Sequence, residues 1–213
     1  GYFGNGAFAV PVQPLWKPFP DHLAAPPADT EGPSPVSIKT ARNLVDYRRI
    51  AITPKRISIG KGMTVTLNGI AQGYITDRVA DLLRRRGWSN VLINLGEIRA
   101  LDDHPGSRPW RVALAENGHT VPLANMALAT SSGHGARFDL AGRHHHLFNP
   151  LSGESARLYR DVSVRAPEAA IADALSTAIY ATPKNRVPAI LRNFGGAQAW
   201  LTEKGGETEF VSG

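Results

Sequence analysis

The chain has 213 residues, 42% of them apolar, enough for one substantial domain or two small ones with a real core. Lysine and arginine total 24 against 18 acidic residues, a net charge of +6. The cations are scattered rather than gathered into a stripe, which speaks against a nucleic-acid surface and suits an anionic small ligand. There is no cysteine, so disulfide and thiolate chemistry are excluded. No stretch is long and apolar enough to form a membrane-spanning helix, and no signal-peptide pattern occurs in these residues.

In chain order, residues 1–36 are rich in glycine and proline and are expected to be irregular. Pro35 to Arg49 reads as a helix with Ile38, Ala41, Leu44 and Val45 inward. Ile50–Thr53, Arg56–Ile59 and Met63–Leu67 read as short strands, with a hairpin turn at Lys61-Gly62. Gly60-Lys61 is not a Walker loop, because Lys55 stands where that motif requires glycine.

The stretch from Leu67 to Ala100 organises the rest. It reads as strand, glycine turn, helix, strand and second turn, a βαβ-like unit. The turn at Gly69–Gly73 opens into a helix, whose unpaired N–H groups and positive dipole end suit a phosphate. The glycines can equally serve only the turn. Tyr74, Ile75, Val79, Leu82 and Leu83, spaced by three or four, share one face of this helix, and Thr76, Asp77, Asp81, Arg84 and Arg85 the other. Gly87 is placed to end the helix, with Arg84-Arg85-Arg86 complementing its dipole. Val91–Leu95 is a buried strand, and Asn94-Leu-Gly-Glu97 lies where it ends.

Beyond it, Trp110–Ala115, Val121, Met126–Thr130, Arg137–Leu140, His145–Phe148 and Asp161–Arg165 read as a largely antiparallel series, with turns at Asn117-Gly118 and Ala141-Gly142. Glu168–Thr182 and Arg186–Asn193 read as helices, and Ala197–Leu201 and Glu209–Val211 as closing strands. The mixed order predicts an α+β fold with packed helices.

Three constellations carry chemistry. Asp173, Ser176 and Thr177 fall at i, i+3 and i+4 and project from one helix face, next to an apolar face of Ile171, Ala174, Leu175, Ala178 and Ile179. Hard oxygen donors on one rigid face suit Mg²⁺; a polar face turned to water is the plainer reading. His144-His-His146 on a strand would point His144 and His146 one way and His145 the other, with no third metal ligand in sight. Thr130-Ser-Ser-Gly133 offers hydroxyls to phosphate or ribityl oxygens, or to its own backbone. No Gly-x-Ser-x-Gly elbow is present.

Five stretches, in order, resemble the ApbE family of FAD:protein FMN transferases. They are Gly69-Ile-Ala-Gln-Gly-Tyr74 with Asp77-Arg78, Asn94-Leu-Gly-Glu-Ile-Arg99, Leu128-Ala-Thr-Ser131, His145-His-Leu-Phe-Asn-Pro150 and Ala172-Asp-Ala-Leu-Ser-Thr-Ala178. Gly6-Ala-Phe-Ala-Val-Pro11 is similar to a further family stretch that lies well inside its proteins. The resemblance implies a single T-fold-related domain over residues 1–213, mixed and largely antiparallel, lacking the family's N-terminal part. That part would supply some flavin contacts and any export signal.

Carried over residue by residue, the resemblance assigns Asp173, Thr177, Ser176 and the main-chain oxygen of Gly69 to Mg²⁺. It assigns FAD contacts to Ala7, Phe8 and Ala9; to Thr66, Asn68, Gly69, Gln72 and Tyr74; to Asn94, Gly96 and Glu97; and to Thr130, Ser131, His145 and Leu147. His146 is the implied base that takes the proton from a Thr or Ser hydroxyl of a partner flavoprotein, which attacks the FMN phosphorus as AMP leaves. The implied setting is periplasmic or otherwise extracytoplasmic. Thr66, Gln72 and Ala9 stand where the family commonly has Asp, Lys and Asp, and Asn149 where it often has Asp. These departures leave room for a NosX-like accessory that binds FAD without chemistry, or for FAD hydrolysis by water.

Overall fold

Pro11, Pro18 and Pro35 lie at the starts of helices rather than preventing them. A proline at the first helical position gives up no hydrogen bond, since that N–H has no intrahelical partner, and its φ is already helical. A 3₁₀ helix spans Val10–Leu15, α1 spans Pro18–Leu23 and α2 spans Pro35–Arg42. The expectation of an irregular segment over 1–36 is corrected to that extent. The computed structural model describes residues 9–23, 32–114, 118–139 and 141–213; Ala7 and Phe8 lie outside them, as does Asn117 of the expected turn. The chain divides into two compact units, residues 1–67 with 132–157 and residues 68–131 with 158–213.

The first unit is built around aromatic rings. Leu15, Phe19, Ala41 and Phe148 are buried together, with Trp16, Ile38, Val45 and Phe138 packed against them. Phe138 stacks on Phe148 at 6.0 Å and Trp16 meets Phe138 edge-on at 5.4 Å. Ser34 caps α2 by accepting the N–H of Ser37. The helix ends at Arg42, short of Arg49; a separate 3₁₀ turn covers Tyr47–Arg49, capped by Asp46. β1 (Ala51–Thr53) and β2 (Arg56–Ser58) form an exposed hairpin, and the turn at Lys61-Gly62 is closed by Met63 N–H to Gly60. Met63–Leu67 has no strand among the described residues, although Thr66 N–H donates to the Val10 carbonyl at 2.9 Å. Likewise Arg137–Leu140 and His145–Phe148 make isolated bridges, Arg137 with His145 and Phe148 with Ser155, instead of strands. One bridge does not impose a pleat, so alternation fails, and His144 and His145 are both buried.

In the second unit α3 spans Ala71–Arg85 and β3 spans Val91–Asn94. β4 (Ile98–Leu101) returns antiparallel on β3 through a turn with Gly96 at φ +104°. The βαβ-like reading is therefore corrected: residues 59–70 directly before α3 form no strand, and an antiparallel hairpin comes after it. β5 (Trp110–Ala113) and β6 (Thr120–Leu123) form a separate ribbon. β7 spans Ala127–Ser132, β8 Asp161–Ala166, α4 Ala169–Tyr180, α5 Val187–Leu191, β9 Gln198–Thr202 and β10 Thr208–Ser212. The six-stranded sheet runs β10-β9-β8-β7-β4-β3, antiparallel at β10/β9, β9/β8, β7/β4 and β4/β3. Ala100, Val112, Val121, Leu123 and Leu128 form one core cluster, with the partly buried Trp200 packed on it. This is the α+β class expected.

The buried face of α3 coincides with the apolar set only in part. Gly73, Thr76 and Ala80 are buried, while Tyr74 and Ile75 are 57% and 54% exposed. Small residues are inside because α4 approaches so closely: a Cβ on Gly73 would lie 2.3 Å from the Ala169 carbonyl oxygen. Val79 and Leu83 still pack on Ile93 and Leu101, as the periodicity requires. Gly87 (φ +81°) ends the helix in a Schellman motif, Trp88 N–H to Leu83 and Gly87 N–H to Arg84.

Candidate functional site

Neither α3 nor α4 has a side-chain cap from its own N-cap residue, Ile70 or Glu168. Each takes its cap from the other helix. Asp77 on α3 accepts the N–H groups of Ala169 and Ala170, both at 2.9 Å. Asp173 on α4 accepts the N–H of Gly73 at 3.0 Å through Oδ2. A good N-cap contributes about 1 kcal/mol, and the helix dipole favours a carboxylate at that end. Asp77 is further tied to Arg99 on β4, 3.5 Å away, both being largely buried.

Asp173 therefore does not face water. It is 5% exposed, and burial pushes its carboxyl up to about 6 even though the Gly73 amide pulls it down. Glu97, at the end of the β3–β4 turn, is 8% exposed and pushed up to about 7, first by burial and then by the charge of Asp173. A hydrogen bond from the Thr130 backbone partly offsets this. The charge of Asp173 thus adds to the cost of charging the buried Glu97, a situation a divalent cation relieves.

Hydroxyls complete this region. Ser131 Oγ lies 2.8 Å from Ser176 Oγ and 3.3 Å from Thr177 Oγ1. Ser176 Oγ also donates to the Asp173 main-chain oxygen at 3.0 Å, so its hydroxyl is already engaged twice. Thr130 turns the other way along β7 and pairs with the buried Ser163 at 2.8 Å, a partner the sequence reading missed because nothing local marks it. Asn94 accepts the Gly96 N–H at 3.2 Å and so shapes its own turn. The Gln72 carboxamide lies over that turn: a Cβ on Gly96 would come within 2.6 Å of Gln72 Nε2. Asn68 and Tyr74 are exposed, and Gly69 is half-buried.

The donor set fits Mg²⁺. Among the described residues no group of three or more His, Cys, Asp or Glu side chains converges, which does not suit a transition metal. One carboxylate face plus neutral oxygens, with a second carboxylate nearby, suits a hard ion that keeps water and phosphate as further ligands. Asp173 Oδ2 accepts the Gly73 N–H at 3.0 Å. The Gly73 N–H in the first turn of α3 is thus already held by a carboxylate.

The histidines belong to the first unit. His146 Nδ1 lies 3.2 Å from the Ala136 carbonyl, which can only accept; Nδ1 is therefore the protonated nitrogen and Nε2 the acceptor. Burial pushes the ring below its ordinary value, keeping it neutral. His145 is more strongly affected, pushed down to about 4 by burial, and its N–H bonds Ser155. Leu147 is buried, its N–H directed at His145 Nδ1. Ala9 is buried at the start of the Val10–Leu15 turn, and Thr66 is half-buried.

Comparison with known proteins bears on this arrangement. The chain is 28% identical over 193 residues to a Treponema pallidum protein named FAD:protein FMN transferase, covering 78% of this chain and 53% of that protein. A Haemophilus influenzae protein of the same name is 26% identical over 193 residues, covering 83% and 55%. The chain thus spans about half the length of these curated relatives. The crystal structure of the Pseudomonas stutzeri flavinyl transferase ApbE in its apo form superimposes with a TM-score of 0.81 at 27% identity, over 99% of this chain and 68% of that one. The Thermotoga maritima ApbE protein gives 0.80 at 27%, over 97% and 70%. The ApbE family model matches residues 4–201, nearly the whole chain, and with the five sequence stretches and the shared fold this establishes that the protein belongs to the ApbE family.

Proposed function

We propose that this chain transfers the FMN moiety of FAD to a Thr or Ser hydroxyl of a partner flavoprotein, releasing AMP, with Mg²⁺ as cofactor. The observation that carries the reading is the buried Asp173 carboxylate held on the Gly73 amide at 3.0 Å, its charge pushing up the nearby buried Glu97. Relatives named for this activity, at 26–28% identity, support the reaction class.

Asp173 and Thr177 would hold the ion together with the Gly69 carbonyl; Ser176 supports them through Ser131. Bound there, Mg²⁺ would neutralise charge on the pyrophosphate oxygens and on the leaving phosphate. Gln72, Gly96 and the Asn94 turn border the dinucleotide. His146 Nε2 takes the proton of the acceptor hydroxyl; the oxygen bonds to the FMN phosphorus, and the bond from that phosphorus to the bridging oxygen breaks, so that AMP departs with that oxygen. The assignment of His146 rests on the family resemblance and on its fixed tautomer. An extracytoplasmic setting rests on the resemblance alone.

The test is incubation with FAD, Mg²⁺ and a Thr-bearing acceptor peptide, measuring AMP and flavin on the peptide. Transfer is expected in the parent, and Asp173→Ala should lower it at least about a hundredfold. FAD binding without AMP would instead favour an accessory role, and unchanged turnover in the variant would remove Asp173 from the site.

A further inference from the structure

Two carboxylates are exchanged between α3 and α4, and only one of them belongs to the site proposed above. Asp77 sits one helical turn after Gly73, and Asp173 one turn after Ala169. The bonds Asp77 to Ala169 and Ala170, and Asp173 to Gly73, therefore close a ring whose other two sides are single helical turns. There is no slack in it: the backbones touch at Gly73 and Ala169, where a Cβ would fall 2.3 Å from an oxygen. Arg99 holds Asp77 from the sheet side. The N–H groups that Asp77 accepts have no cap from Glu168.

We propose that Asp77 is a positioning residue, which sets the register of α4 on α3 and so aims Asp173 and Thr177 at the turn that ends in Gly73. This rests on the reading of Asp173 as a metal ligand. Without Asp77, α4 keeps its hydrophobic packing but loses the two bonds that hold its first turn. Asp173 then drifts relative to Gly73 while remaining in a folded chain. Asp77 would touch neither FAD nor the ion.

The experiment uses Mn²⁺ as a paramagnetic probe, titrated with saturating FAD, alongside amide exchange at Gly73 and thermal unfolding, on the parent, Asp77→Ala and Asp77→Asn. Loss of a residue that orients a ligand typically weakens metal binding about 10–100-fold. We expect at least about tenfold for Asp77→Ala, a smaller loss for Asp77→Asn, which keeps one acceptor, and faster exchange at Gly73 in both. Mn²⁺ affinity and Gly73 exchange equal to the parent's, with only the melting temperature lowered, would overturn the proposal. If Asp77→Ala fails to fold, Asp77→Asn decides by the same two readouts. If the parent itself does not bind Mn²⁺ with FAD, the metal reading fails, and Gly73 exchange alone judges Asp77: unchanged protection in Asp77→Asn overturns it.

Discussion

His146 shows how much a single contact settles about a side chain. A carbonyl oxygen on Nδ1 leaves one tautomer, and burial keeps that ring neutral, so Nε2 is a lone-pair acceptor across the physiological range. If it serves as the general base, His146→Ala should lower the transfer rate by roughly 10²–10⁴-fold with little change in FAD affinity. The acid limb of the rate profile should lie below the ordinary histidine value, because burial lowers its pKa. Steady-state kinetics with FAD and acceptor varied separately would check both. Residue types at the site were legible in the sequence: Asp173, Ser176 and Thr177 do share a side of α4. That Asp173 and Ser176 are buried, and that Ser131 is what Ser176 and Thr177 meet, was not, since Ser131 lies 45 residues away in the chain.

At the scale of the element, α3 and α4 illustrate where periodicity misleads. A count of large apolar side chains turns Tyr74 and Ile75 inward, yet they face out. Close backbone approach rewards the absence of side chain, and the hydrogen bonds of Asp77 and Asp173 hold the contact. A Gly→Ala exchange within a helix normally gains roughly 0.5–1 kcal/mol. At Gly73 the added methyl meets the Ala169 carbonyl and the Ala170 Cα, and overpacking of this kind costs about 1–3 kcal/mol. Gly73→Ala should therefore destabilise the protein, against the usual sign, as read from its denaturant midpoint at unchanged m-value. A stabilised variant would show that the interface yields. The one sequence sign of this packing was a glycine four residues before an aspartate, a pattern with many other causes.

Across the whole molecule, the two units carry opposite pH responses. In the second unit Asp173 and Glu97 titrate at about 6 and about 7 when folded, against about 4 in an unfolded chain. The folded state binds more protons in that window, so this stabilisation is full below about pH 4 and is lost as pH rises through about 7. In the first unit His145, pushed down to about 4 from an ordinary 6.5, works the other way: its contribution is full above about 6.5 and lost as pH falls through about 4. Limited proteolysis in chelator, mapped by mass spectrometry, should find residues 68–131 and 158–213 more susceptible at pH 7.5 than at pH 5. Mg²⁺ with FAD should remove that difference. Residues 32–67 and 132–157 should show the reverse trend. Equal susceptibility of the second unit at both pH values would count against the buried carboxylate pair.

The order of motifs, the α+β class, the helix ends at Gly87 and Glu168, and the strands at Val91, Met126–Thr130, Asp161–Arg165, Ala197–Leu201 and Glu209–Val211 were determined by the sequence itself. Each rests on residues near one another in the chain: caps, turn glycines and alternation act within a few positions. Tertiary structure alone decided the rest. It put small residues of α3 against α4, made helices of proline-rich chain, reduced two expected strands to single bridges, and supplied each capless helix with a carboxylate from the other, 92 and 100 residues distant. The physical reason is that burial and helix capping are satisfied by whichever group arrives, and no local pattern records which group that is.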